Sequence, residues 1–284
     1  MLWKKKKKQE SPRELLNITT RNGQIASVDN HNSFQTRAES SLKQVLDAIK
    51  LGIPQHEIQF SLHTGDFPTE SLVKGNFYYC CEKKEDLDFV FPDFIFDHWQ
   101  QAGIPDFKKT VSEIQKEAEK PYLHPRMLWI GNVQTHPNRE KIIKYSEQYP
   151  DLIEAYNTYV DQAVLGGKKD IPYITLKDHT HYKYLIDIEG KGYSGRIKML
   201  LFTKRLLFLQ DRVWKSYYHF ELEPYKHFIP VKNDLSDLME QMRFAEQQGE
   251  EYYRTITQNA YDFAVENLQY EKAVQRIQKL ISAL

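Results

Sequence analysis

The sequence predicts an α/β protein made of two doubly wound domains that face each other across a cleft. Three observations predict it. Apolar runs of strand length alternate with segments whose apolar residues recur at helical spacing, in both halves of the chain. Two of those runs end on glycine, at Gly131 and Gly190, as strands do where they pass into ligand-facing turns. A polar stretch at residues 166–181 separates the halves. The expected layout is a basic tail at 1–12, a first αβ domain at 13–168, a second at 169–265, and a C-terminal helix at 266–284 that packs back on the first domain.

The composition sets bounds on this layout. The chain has 284 residues, 40% of them hydrophobic, enough for substantial cores. Lysine plus arginine equals aspartate plus glutamate at 39 each, so no global field favours nucleic acid. No apolar segment approaches the roughly 20 residues needed to span a bilayer. Met1, Leu2 and Trp3 lead straight into Lys4, Lys5, Lys6, Lys7 and Lys8, without the apolar core of a signal peptide, which leads to the expectation of a cytoplasmic protein. Those lysines admit two readings, a solvated tail or peripheral contact with an anionic membrane. Cys80 and Cys81, the only cysteines, are adjacent and cannot form an ordinary disulfide with each other, and they fit the core of a strand in a reducing compartment.

In chain order, Thr36 and Glu39 have capping-box spacing before a helix carrying Leu42, Val45, Leu46 and Ile49, stopped by Gly52 and Pro54. Ile58, Phe60 and Leu62 alternate as a strand, and the loop after it carries Gly65-Asp66-Phe67-Pro68. Asp66 thus stands at a strand's C-terminal end, where ligands gather in open α/β sheets, although a turn-forming aspartate explains it equally. Residues 77–81 and 89–91 read as strands, and Thr110 with Glu113 as a second capping box. Residues 127–131 form a strand, followed by Thr135-His136-Pro137-Asn138-Arg139 and a helix with Ile142, Ile143 and Tyr145, so Arg139 lies in a first helical turn beside a strand end.

The second half opens on a strand with Tyr184, Leu185, Ile186 and Ile188. Gly190, Gly192 and Gly195 follow as G-x-G-x-x-G, and Ile197, Leu200 and Leu201 give a helix face starting near Ser194 or Gly195. A strand, a glycine turn and a helix N-terminus together form an anion cradle, and Arg196 and Lys198 add charge to it. The same glycines also end strands in ordinary connections. Asp211 stands 21 residues beyond Gly190, where a nicotinamide-binding fold places its ribose-binding acid, so an NAD-dependent oxidoreductase is a second reading. A non-catalytic nucleotide- or glycan-binding protein is a third.

Other constellations read as structural. Asp86 and Asp88 precede an apolar segment rather than follow one, which suits a solvated turn better than a metal site. Asp178, His179 and His181 lack a second cluster at metal spacing. Phe94, Phe96 and Trp99 form either a sugar platform or a buried cluster.

The run from Lys183 to Leu238, with its glycine loop, Ser194-x-Arg196, Trp214-x-x-x-Tyr218, and His227-Phe228-Ile229-Pro230-Val231-Lys232, resembles glycosyltransferase family 90. Gly65-Asp66-Phe67-Pro68 and the segment from Trp129 to Arg139 resemble it too, so the likeness covers most of the chain beyond about residue 55. The resemblance implies a GT-B fold of two Rossmann-like domains and metal-independent, inverting transfer from a UDP-sugar of glucose or xylose type, with no cofactor. It implies Asp66 as catalytic base and Arg196 on the donor diphosphate, with Gly131, Thr135, Arg139, Gly192, Tyr193, Ser194 and Gly195 in the nucleotide-contact segments. Where many members read Phe-Arg-Gly and a further arginine, this chain has Trp129-Ile130-Gly131-Asn132-Val133, and Lys198 is the candidate to compensate. The lack of a signal peptide points, within such a family, to a surface-glycan, lipopolysaccharide-type or lipid-linked glycan hydroxyl as acceptor rather than to secretory-pathway protein glucosylation.

Overall fold

The computed structural model describes residues 14–158 and 174–284. The basic tail and residues 166–173 of the polar stretch lie outside the described residues.

Asn22 and Gly23 both take positive φ, 52° and 68°. This two-residue turn matches the twist of paired strands and joins β1 (Leu15–Arg21) to β2 (Gln24–His31). On β1, Leu16, Ile18 and Thr20 point inward and alternate with more exposed neighbours. β3 (Ile58–His63) pairs antiparallel with the other side of β1, and β4 (Asn76–Phe77) pairs parallel with β3, giving the order β2-β1-β3-β4. The first sheet is therefore mixed and led by a hairpin, not the doubly wound parallel sheet expected. The strands expected at 77–81 and 89–91 reduce to β4 and isolated bridges, Tyr78 to Val90 and Cys81 to Lys215.

Helix α1 (Gln35–Lys50) follows the expected periodicity but lacks the expected cap: it starts from Phe34, and Glu39 accepts from Gln35 Nε2 at 2.8 Å. Helix α2 (Phe107–Ala118) starts earlier than expected because Asp106 caps it, accepting from the Lys109 amide at 2.7 Å. Thr110 and Glu113 consequently lie inside the helix.

The second sheet is wholly parallel, with β5 (His124–Gly131), β6 (Ile153–Asn157), β7 (Tyr182–Asp187), β8 (Leu206–Gln210) and β9 (Ile229–Val231) in the order β6-β5-β7-β8-β9. Helix α3 (Asn138–Gln148) joins β5 to β6, and α4 (Ile197–Leu200) lies between β7 and β8. β5 and β6 precede the boundary expected at 168–169 and β7 follows it, yet all three share this sheet. The division between the two sheets falls between β4 and β5. Strand order reverses at β5 and β7, and a crevice beyond the C-terminal ends of such strands is where doubly wound sheets bind ligands.

Both faces of this sheet are apolar, as in other covered parallel sheets. Leu128, Leu185, Leu207 and Leu209 join a core shared with Leu16, Phe60 and Leu62 of the first sheet. Met127, Trp129, Tyr184, Ile186 and Phe208 face the other way, onto Leu238, Met242 and Ile256 of α5 (Leu238–Asn267). Helix α6 (Tyr270–Ser282) returns to α1, where Tyr270 donates to Asp47 Oδ2 and Gln278 Nε2 to the Gly52 carbonyl, both at 2.7 Å. Among the described residues no helix is long and apolar enough to cross a membrane.

Candidate active site

β7 ends on Asp187, a carboxylate with no solvent exposure at the C-terminal edge of an apolar strand. An ion so placed must be paired. Arg212, just beyond β8, donates Nη1 to Oδ2 at 2.8 Å and Nη2 to the Asp187 carbonyl at 3.0 Å. Arg196 reaches Oδ1 through Nε and Nη2, both at 3.2 Å, and Ser194 donates its hydroxyl to the same oxygen at 2.9 Å. Burial alone would raise the Asp187 pKa, but Arg212 and Arg196 outweigh it and hold the carboxyl below its usual range.

Arg139 completes the cluster from the first turn of α3. It donates Nε to the Glu189 carbonyl at 2.8 Å, Nη2 to the Ile188 carbonyl at 2.9 Å and Nη1 to the Asn132 carbonyl at 3.1 Å. These contacts tie together the chain ends leaving β5 and β7. Burial, reinforced by the charge of Arg196, pushes the Arg139 guanidinium down to about 10. Glu189 faces His136 at 3.2 Å and accepts from Asn233 Nδ2 at 2.7 Å. Burial, aided by Arg139, lowers the His136 pKa and favours the neutral ring. Three guanidiniums therefore meet two carboxylates, leaving one excess positive charge at the switch point. Arg212 is buried, whereas 22% of the Arg196 side chain is exposed, so Arg196 and half-buried Arg139 present the charge outward.

Asp66 approaches from the first sheet. Its loop leaves β3 through Thr64, whose amide donates to the Glu14 carbonyl at 2.8 Å. The Asp66 carboxylate is 42% exposed and accepts from Arg37 Nη2 at 2.9 Å. Burial opposes the Arg37 charge, but Tyr193 and Asp66 raise its pKa above the ordinary arginine value. The Asp66 loop touches the glycine loop directly. A Cβ on Gly192 would lie 2.0 Å from the Asp66 carbonyl oxygen, so only glycine fits there without moving backbone. Phe67 stacks on Trp214 beside this contact, with centroids 5.4 Å apart.

The structure thus brings Gly131, Thr135, Arg139, Gly192, Tyr193, Ser194, Gly195 and Arg196 around the β5 and β7 ends, with Asp66 against Gly192. It excludes Lys198. That ammonium is fully buried, bonded to Asp93 at 2.7 and 3.0 Å and to the Gly195 carbonyl at 2.9 Å, so it cannot compensate for a missing surface arginine. The outward-facing charge there belongs to Arg196 and half-buried Arg139. The helix-terminus reading of the glycine loop also changes. α4 begins at Ile197 and is a single turn, so the cationic character comes from side chains. Gly192 serves contact between the sheets rather than an open phosphate turn, and Asp211 is exposed and paired with Lys215 at 3.7 Å; neither feature suits a dinucleotide fingerprint. Phe94 and Phe96 are buried core residues, not a sugar platform. A cavity of about 800 Å³ lined by Phe77, Tyr217, Arg276 and Lys279 is separate from this cluster.

Asp187, Arg212 and Arg37 escaped the sequence reading. One signal was available for Asp187: a lone charge inside the apolar run from Tyr184 to Ile188 has to be paired once that run is buried.

A doubly wound sheet with arginines fixed at its switch point defines an α/β protein with a cationic crevice suited to an anionic ligand. The model of glycosyl transferase family 90 matches residues 4–283, and the chain belongs to that family. The match includes residues 4–52, which the sequence resemblance had left out. Human protein O-glucosyltransferase 3 is 24% identical over 207 residues, covering 69% of this chain and 40% of that protein. The O-glucosyltransferase rumi of Drosophila melanogaster is 25% identical over 253 residues, covering 79% and 61%. The chain therefore spans less than two thirds of the length of either relative. The C-terminal domain of a glycosyl transferase group 1 family protein from Francisella tularensis aligns at 12% identity with a TM-score of 0.36, over 55% of this chain and 92% of that domain.

Proposed function

We propose that the chain is an inverting, metal-independent glycosyltransferase of GT-B type that moves a glucose- or xylose-type sugar from a UDP-sugar to an acceptor hydroxyl. The observation that carries this reading is the Arg139, Arg196 and Arg212 cluster at the β5 and β7 ends, with Asp66 packed from the other sheet against Gly192 of the loop that follows β7. Arg196 and Arg139 bind the diphosphate. Arg212 acts from behind, by fixing Asp187 and through it Arg196.

A sugar hydroxyl is a poor nucleophile, and Asp66 accepts its proton as the oxygen bonds to the anomeric carbon, a contribution of about 10² to 10⁴-fold. On the opposite side of that carbon the bond to the diphosphate breaks. The negative charge that develops on the leaving oxygen meets guanidiniums already in place, so stabilisation requires no reorganisation. Because the arginines neutralise this charge, the reaction needs no divalent cation.

The acceptor we propose is a surface glycan, lipopolysaccharide-type or lipid-linked glycan, reached from the cytoplasm with the lysines at residues 4–8 touching anionic lipid. The name of the human relative, a protein O-glucosyltransferase, favours a second class, a protein hydroxyl. UDP release from UDP-glucose and UDP-xylose, measured in EDTA with each acceptor class, tests the reading. Activity that vanishes with EDTA rejects the metal-free mechanism, and retained turnover by Asp66→Asn removes Asp66 as base.

A further inference from the structure

Arg37 lies in the first turn of α1, and neither the glycine loop nor the arginine cluster contains it. Its fork makes two directed bonds, from Nη2 to Asp66 Oδ1 at 2.9 Å and from Nη1 to the Thr64 carbonyl at 2.5 Å. The rings of Phe34 and Phe94 lie 5.3 and 5.4 Å from the guanidinium carbon, and Glu14 is 3.8 Å away. Only 18% of the Arg37 side chain is exposed. A group held by two bonds and two ring contacts has little freedom to turn. The carboxylate it holds is 42% exposed and sits on a loop, where an unrestrained aspartate samples several rotamers.

We propose that Arg37 is the positioning residue for transfer: it fixes the Asp66 carboxylate through Oδ1 and leaves Oδ2 as the oxygen that takes the acceptor's proton. This rests on Asp66 being the base, as proposed above. The two ends of Asp66 are held by different parts of the fold. Its main chain is pressed by Gly192 and accepts from the Cys80 thiol at 3.5 Å, while its side chain is set by α1. The clamp requires a planar fork, because a lysine ammonium cannot present two donors at the fixed spacing of the Thr64 carbonyl and Oδ1. Misplacing a reacting group by about 1 Å can cost about 10²-fold in rate.

The test measures UDP release from UDP-glucose or UDP-xylose by wild type, Arg37→Ala, Arg37→Lys, Asp66→Asn and the double variant, beside UDP affinity and melting temperature. For Arg37→Ala the expected result is a kcat lower by about 10- to 100-fold with UDP affinity within about twofold of wild type. Added guanidinium ion restores part of that loss, and Arg37→Lys is intermediate. In the Asp66→Asn background, removing Arg37 costs nothing more. A wild-type rate in Arg37→Ala, or a loss that guanidinium does not rescue, overturns the proposal. If Arg37→Ala does not fold, Arg37→Lys decides: a wild-type rate in that variant overturns it. An inactive Asp66→Asn with an active Arg37→Ala sinks only the Arg37 assignment. Full turnover by Asp66→Asn, or no UDP release by wild type, sinks the functional reading beneath it.

Discussion

Replacing Asp187 with asparagine keeps the side chain's shape and removes the charge on which the arginine cluster is built. Asp187 has no exposure, and the Arg212 side chain that bonds it at 2.8 Å is 1% exposed. In the variant Arg212 becomes a buried cation without its counter-ion, a loss worth about 3–5 kcal/mol. Domain stabilities run from about 5 to 15 kcal/mol, so a large share goes. At about 2–4 °C per kcal/mol for chains of about this size, the melting temperature falls by roughly 6–20 °C. Thermal and urea unfolding followed by circular dichroism measure it. The double variant Asp187→Asn with Arg212→Met regains part of the loss, because both charges are gone. The sign of the pH effect follows from the depressed pKa of Asp187. Its stabilisation is present above the unfolded carboxylate pKa of about 4 and is lost as pH falls through the lower folded value. Wild type therefore loses more stability in acid than the variant does. A loss below about 1 kcal/mol in Asp187→Asn would refute the ion-pair reasoning.

Further outcomes follow from the same geometry. Gly192→Ala places a methyl carbon where the Asp66 carbonyl oxygen would be 2.0 Å away, so the two loops separate; turnover falls and stability drops by about 1–3 kcal/mol, and an unchanged crystal structure with full activity would contradict this. Lys198→Met leaves Asp93 buried and unpaired and costs about 3 kcal/mol or more, while UDP affinity measured by calorimetry stays within about twofold; a large loss of affinity would return Lys198 to the site. Burial, reinforced by Arg196, pushes the His179 imidazole down to about 4. The unfolded chain binds that proton first, so stability declines as pH falls from about 6.5 to about 4. An NMR titration placing the His179 pKa near 6.5 would show that this picture is wrong.

The strands β3, β5 and β7 were legible because burial writes itself as apolar alternation or continuous apolar runs. The β1–β2 hairpin carried an equally plain signal, Asn22-Gly23 between two strand-like segments, and it is what makes the first sheet mixed. The domain division was not legible. Polar residues at 166–181 look like a linker, but pairing between β5 and β7 is a long-range property that no local composition encodes. The placement of Asp66, Arg139 and Arg196 beyond strand ends could be read, because an apolar run precedes each of them. Arg37 could not, since its meaning lies in a partner 29 residues away that is reached only when α1 packs beside the Asp66 loop. Lys198 misled for the opposite reason: a lysine beside a glycine loop looks like a phosphate ligand until Asp93, from a distant turn, is seen to hold it.

The proposed transfer requires the switch-point arginines to hold the diphosphate of a UDP-sugar. Calorimetric titration of UDP in EDTA, into wild type and Arg196→Met, tests it most directly. Wild type should bind UDP, and the variant, having lost a charge-assisted fork worth about 1.5–3 kcal/mol, should bind about 10- to 100-fold more weakly. No binding by wild type, or equal binding by both proteins, would contradict it.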